Sequence, residues 1–182
     1  MVLLCATPPQ AGDVLVASER PVVNLPQSLR QINWLGRQGQ GSCAWASLIM
    51  DLNWSCEFAE AQRIRSFYGD GVTVSSLCSA LDREQVPYVC TARKNNVELL
   101  EQAVSGRRAV LVGVNWEHPT QEANHMVLLT HIDQSSVCII DCNHPTQDRW
   151  LGRDEFLSVW AGSGSIGIVP LYSACPPLVN HE

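Results

Sequence analysis

The sequence predicts a single α+β domain, with N-terminal helices packed on a C-terminal antiparallel β-sheet. Three observations lead there. Its 182 residues match the length of one domain. Apolar side chains recur at helical spacing early in the chain, at Trp45, Leu48, Ile49 and Leu52. After Gly106 the chain turns to short β-branched and apolar runs, at 109–116, 125–132 and 137–141. Helices gathered in one half and strands in the other is the α+β pattern, unlike the alternation that builds a parallel βαβ sheet.

Residues 1–30 carry Pro8, Pro9, Pro21 and Pro26 without a sustained period and read as an arm over a domain spanning 31–172, with 173–182 a tail. The first helix begins near Cys43. A second covers 58–68 and ends at Gly69-Asp70-Gly71, and a third runs from Val74, with Leu77 and Leu81 on one side, towards the break at Pro87. A short strand follows at 88–92. Asn96 then caps a helix through Val104 that stops at Gly106. Asp133-Gln134-Ser135-Ser136 is turn-prone and joins 125–132 and 137–141 into an antiparallel hairpin. A short strand at 149–151, a helix capped by Asp154 through Trp160, and a closing strand at 165–171 complete the chain.

Composition excludes several classes of function. There are 12 Lys and Arg against 18 Asp and Glu, a net charge of −6, and the cations are scattered singly, so no basic stripe exists to meet nucleic acid. The longest apolar runs, such as 109–114, are far short of a bilayer span, so no membrane insertion is expected. The first residues lack a basic region and reach Pro8-Pro9 at once, which reads as no signal peptide. The expected location is cytoplasmic, or outside by a route that needs no such signal.

The 8 cysteines are irregularly spaced, and in a reducing compartment most would act as small buried apolar groups. Cys138, Cys142 and His144 are close enough in sequence to suggest zinc, but no second ligand pair stands at finger spacing. No metal and no organic cofactor is expected.

One cysteine stands apart. Cys43 follows Gln38-Gly39-Gln40-Gly41-Ser42 and opens a helix, where unsatisfied N–H groups and the positive end of the dipole lower a thiol's pKa. Glycines at 39 and 41 let the backbone approach a ligand closely.

The stretch Gln38-Gly39-Gln40-Gly41-Ser42-Cys43-Ala44-Trp45-Ala46-Ser47 resembles the active-site helix start of papain-like cysteine peptidases. It is most similar to the compact type, including double-glycine leader peptidases of bacteriocin exporters and bacterial effector cysteine proteases. In those proteins a histidine follows at the head of a strand and a carboxylate or amide one strand later. Here Asn124-His125-Met126-Val127-Leu128-Leu129-Thr130 and Val137-Cys138-Ile139-Ile140-Asp141-Cys142-Asn143 match that order. The likeness covers roughly 30–172, most weakly in the middle, and rests on order and spacing.

The resemblance implies a papain-like fold in which Cys43 attacks a carbonyl, His125 moves the proton, and Asp141 orients the imidazole. Side chains alternate along a strand, so Asp141 and Asn143 share a face and both can address His125. Compact members use the aspartate and papain an asparagine. The family's oxyanion glutamine stands six residues before the cysteine, where this chain has Arg37; Gln38, five before, and Gln40, three before, are the candidates, with Gln38 preferred. One such donor is worth roughly 3–4 kcal/mol.

The remaining histidines read as structural or solvated. His118 precedes Pro119 in a polar loop, His131 lies farther along the strand on the same side as His125, His144 precedes Pro145 and is a minor candidate for the base, and His181 is terminal. Trp34, Trp45, Trp54, Trp150 and Trp160 read as core, and Trp116, on the loop leading to His125, is placed to line the cleft.

The expected function is therefore a cysteine endopeptidase: a thiol hydrolase that cleaves a peptide or isopeptide bond of a protein or peptide substrate through a Cys43 thioester. Two alternatives use the same fold. One is an acyl transferase, deamidase or amidase with the same Cys–His pair; the other is a catalytically weak module that binds protein.

Overall fold

The computed structural model describes residues 23–35, 41–69 and 72–172. Five helices and six strands are found there: α1 (Cys43–Trp54), α2 (Phe58–Phe67), α3 (Val74–Arg83), β1 (Tyr88–Thr91), α4 (Val97–Ser105), β2 (Val110–Val114), β3 (His125–Ile132), β4 (Ser136–Ile140), β5 (Asp148–Gly152), α5 (Arg153–Gly162) and β6 (Gly167–Pro170). None of these helices is long and apolar enough to cross a membrane.

The sheet runs β1-β6-β2-β3-β4-β5, and every neighbouring pair is antiparallel. β2 is buried along its whole length, which explains its unbroken apolar sequence: both faces are covered. On one face Leu111, Met126, Leu128 and Ile140 join Leu48, Leu52 and other residues of α1. On the other, Val110, Val112, Val127 and Leu129 meet Leu100 of α4 and Phe156 and Trp160 of α5. The helices are thus divided between the two faces, with α1–α3 on one side. α1 is buried almost all round, because α2 covers the side it does not give to the sheet. Asp51, in its second half, is carried into the core with it.

Local chemistry accounts for the element ends. Thr73 and Ser76 form a reciprocal capping box at α3, and the Asn96 side chain accepts from Leu99 N–H at 3.2 Å. Asp133 Oδ1 accepts from the N–H groups of Ser135 and Ser136, both at 2.7 Å, and closes the β3–β4 hairpin. Asp154 does not cap α5. The cap is Gly152, two residues earlier, which is still paired to Ser136 and leads straight into the helix, so Asp154 supports the dipole from the first turn instead.

Three other expectations are corrected. The β3–β4 register shifts between Leu129 and His131, and the extra residue reverses the alternation. His131 therefore faces away from Val127 and Leu129, and its Nε2 pairs with Asp133 Oδ2 at 2.9 Å. Of the six described cysteines, all free thiols, only Cys138 and Cys142 are buried; Cys56 sits in a turn with φ 64° and Cys90 on the edge strand β1, both exposed. Trp150 is likewise exposed, on the opposite edge strand β5.

The described part of the arm is integrated with the domain. Val23 and Leu25 are buried, and Val23 N–H donates to the Thr130 carbonyl at 3.1 Å. The Arg30 guanidinium reaches the Leu25 and Pro145 carbonyls and Asp148 Oδ1, tying the arm to the segment beyond β4.

Candidate active site

Cys43 is the first residue of α1 and is half-buried. Ser42, at the N-cap, makes no capping bond. Its hydroxyl instead donates to Asn33 Oδ1 at 3.0 Å and accepts from Leu35 N–H at 3.3 Å. Burial pushes the Cys43 thiol up, but the hydrogen bond and charge of His125, with the backbone N–H groups of Met126 and Ala44, bring it below its ordinary value.

His125 opens β3 opposite Val114 of β2. The loop delivering it is organised by buried Asn115, whose side chain takes the N–H of His118 at 2.9 Å and donates to the Glu122 carbonyl at 3.1 Å. Gly162 is where α5 passes this loop, and a Cβ there would run into the Pro119 carbonyl.

The imidazole Nε2 lies 2.8 Å from Oδ1 of Asp141, which follows the last residue of β4. With Nε2 committed to Asp141, Nδ1 is the nitrogen left for the thiol. Burial lowers the His125 pKa, yet the hydrogen bonds and charges of Asp141 and Cys43 raise it to about 9. Burial raises Asp141, and His125 together with the Asn143 N–H holds it below the ordinary carboxylate range. That N–H reaches Asp141 Oδ1 at 2.8 Å.

The sequence left Asp141 and Asn143 as rivals, and both lie beside His125. Asn143 Nδ2 is 3.4 Å from the same Nε2, longer than the carboxylate contact. Gln38 and Gln40, with Arg37, lie outside the described residues. His144 is exposed in the turn after Asp141, and His118 is exposed. Trp116 does not line the cleft. It is half-buried against the core cluster that holds Phe156 and Trp160, under the Arg149 guanidinium 4.3 Å away.

Two neighbours of the site were not placed there by the sequence: Cys142, which it singled out only as a possible zinc ligand, and Asn33. Cys142 is buried, with its Sγ 3.9 Å from the Cys43 carbonyl, and burial with the charges of Cys43 and Asp141 keeps its thiol protonated. Asn33 bonds both Ser42 and Asn143. Among the described residues, His125, Asp141 and Cys142 place ligand atoms within 4.8 Å of one another and are the set that could surround a metal ion. Cys138 and His144 are not in that set. The Cys138 thiol is pushed up to about 11, first by burial.

A cleft of about 450 Å³ opens in front of Cys43 and His125. Val74 and Leu77 of α3 form one wall, and Ala123 and Ile166, from the sheet side, form the other. Exposed Arg93 and Glu122 pair across its rim at 3.2 Å.

One solved structure resembles the fold of this chain over most of its length. A chain from Bacillus anthracis, described as a C39-like peptidase, aligns with a TM-score of 0.61 and 19% identity, covering 85% of this chain and 98% of its own. The two chains share a fold. No protein-family model matches the sequence, and no curated protein matches it significantly.

Proposed function

We propose that this chain is a papain-like cysteine peptidase of the compact type, cleaving a peptide or isopeptide bond. The observation that carries the reading is the placing of Cys43 and His125 at the head of one cleft, with the His125 Nε2 2.8 Å from Asp141 Oδ1. The same order is carried by the sequence, and the peptidase-like neighbour has the same fold.

In this reading the Cys43 thiolate attacks the substrate carbonyl carbon, while the developing oxyanion takes the Cys43 N–H and a glutamine amide, for which Gln38 is preferred. The imidazolium of His125 gives its Nδ1 proton to the leaving amine as the C–N bond breaks, leaving a thioester. Water then attacks the thioester, His125 accepts its proton, and the acid departs as the thiolate returns. Asp141 fixes the tautomer and orientation of the ring throughout.

The test is intact-mass spectrometry after brief exposure to an epoxide selective for activated thiols, followed by peptide mapping. A single adduct on Cys43 that disappears in His125→Ala is expected. Adducts spread over several cysteines, or none, overturn the reading in favour of a protein-binding module. Incorporation of an added primary amine into a processed peptide would assign acyl transfer instead.

A further inference from the structure

We propose that Asn33 is a positioning residue that holds the thiol half of the site against its imidazole half; this rests on the peptidase reading of Cys43 and His125. Asn33 is 8% exposed and uses both ends of its side chain. Oδ1 accepts from the Ser42 N–H at 2.9 Å and from the Ser42 hydroxyl at 3.0 Å, while Nδ2 donates to Asn143 Oδ1 at 3.0 Å. Its own N–H donates to the Cys142 carbonyl at 2.9 Å. One residue thus joins the position before Cys43 to the turn that carries Asp141, its own partner Asn143 lying 110 positions away in sequence.

Two consequences follow from the direction of these bonds. Because Asn33 gives its amide protons to Asn143 Oδ1, the Asn143 amide is turned with Nδ2 towards His125, and its backbone N–H lies on Asp141 Oδ1. And because Asn33 takes the Ser42 hydroxyl, that hydroxyl is withheld from the first-turn N–H groups that a helix N-cap serine ordinarily binds. The Ala44 N–H is then available to the Cys43 sulfur.

The test is the pH dependence of Cys43 alkylation by iodoacetamide in the full chain, located by peptide mapping, with Tm measured in parallel. In Asn33→Ala the freed Ser42 hydroxyl competes for the Ala44 N–H, so the reactive limb moves to higher pH and the rate at pH 6 falls about tenfold. Adding Ser42→Ala removes the competitor and restores part of the rate. If Asn33→Ala fails to fold, Asn33→Gln, which places the amide one carbon too far, is read in its place. A folded variant whose pH profile matches wild type, even with a lower Tm, overturns the inference and leaves Asn33 structural; so does failure of both variants to fold. Wild-type chain that is not selectively alkylated at Cys43 overturns the peptidase reading itself, an outcome distinct from an unshifted variant.

Discussion

His125 Nε2 and Asp141 Oδ1 are 2.8 Å apart, and this contact leaves Nδ1 as the ring nitrogen for the thiol. Nε2 gives its proton to the Asp141 carboxylate, whereas the Asn143 atom beside it, Nδ2, is itself a donor and cannot take that proton. Asn143, at 3.4 Å, acts mainly through its backbone N–H on Asp141.

That difference separates two substitutions. Asp141→Ala is expected to slow Cys43-specific epoxide inactivation at pH 7 by about 10²-fold or more, the low end of what a misplaced general base costs. Asn143→Ala should cost less, about tenfold. Equal losses would make the pair interchangeable.

The pH dependence follows from the shifts. Hydrolysis needs the imidazolium, so it should fall as His125 loses its proton near pH 9, whereas alkylation, which needs only the thiolate, should not. Stability behaves differently. With its pKa raised, His125 stabilises the fold fully below its unfolded value of 6.5, and that contribution is lost as pH rises to about 9. Cys43 is lowered, so its contribution is whole above 9.0 and lost as pH falls. The two contributions oppose each other as pH falls below 9. Wild-type Tm should therefore vary less steeply with pH there than Tm of Cys43→Ala, which falls as pH rises to about 9, as calorimetry would show.

Gly162 tests the support behind His125. In Gly162→Ala the new methyl meets backbone, the Pro119 carbonyl, and the loop organised by Asn115 must move. A loss of about 1–3 kcal/mol in urea unfolding is expected, with slower Cys43 labelling. A fully stable, fully reactive variant would show that the loop is not a support.

Asp51 is a liability two turns down the same helix. Burial raises its pKa well above the ordinary value, only partly opposed by Arg108, and Oδ2 has no hydrogen-bond partner. A raised carboxyl destabilises the fold as pH rises above its unfolded value of 3.8. Asp51→Asn should therefore raise Tm at pH 8 and gain little at pH 4, measured as paired melts.

What the sequence determined by itself was local. Apolar spacing from Trp45 to Leu52 made a helix, the apolar runs around 110–114 and 125–132 made strands, and Asp133 made the hairpin turn, since each depends on neighbours a few residues away. Those elements were enough to place Cys43 at a helix start, His125 at a strand start and Asp141 at a strand end. The tertiary structure decided what no short window contains. A single extra residue in β3 turned His131 away, Trp116 packed against the cluster that holds Phe156 and Trp160, Cys142 came to rest against the Cys43 carbonyl 99 positions away, and Asn33 joined Ser42 to Asn143. These contacts depend on sheet register and on which face each helix covers, and both are set only when the whole core packs at once.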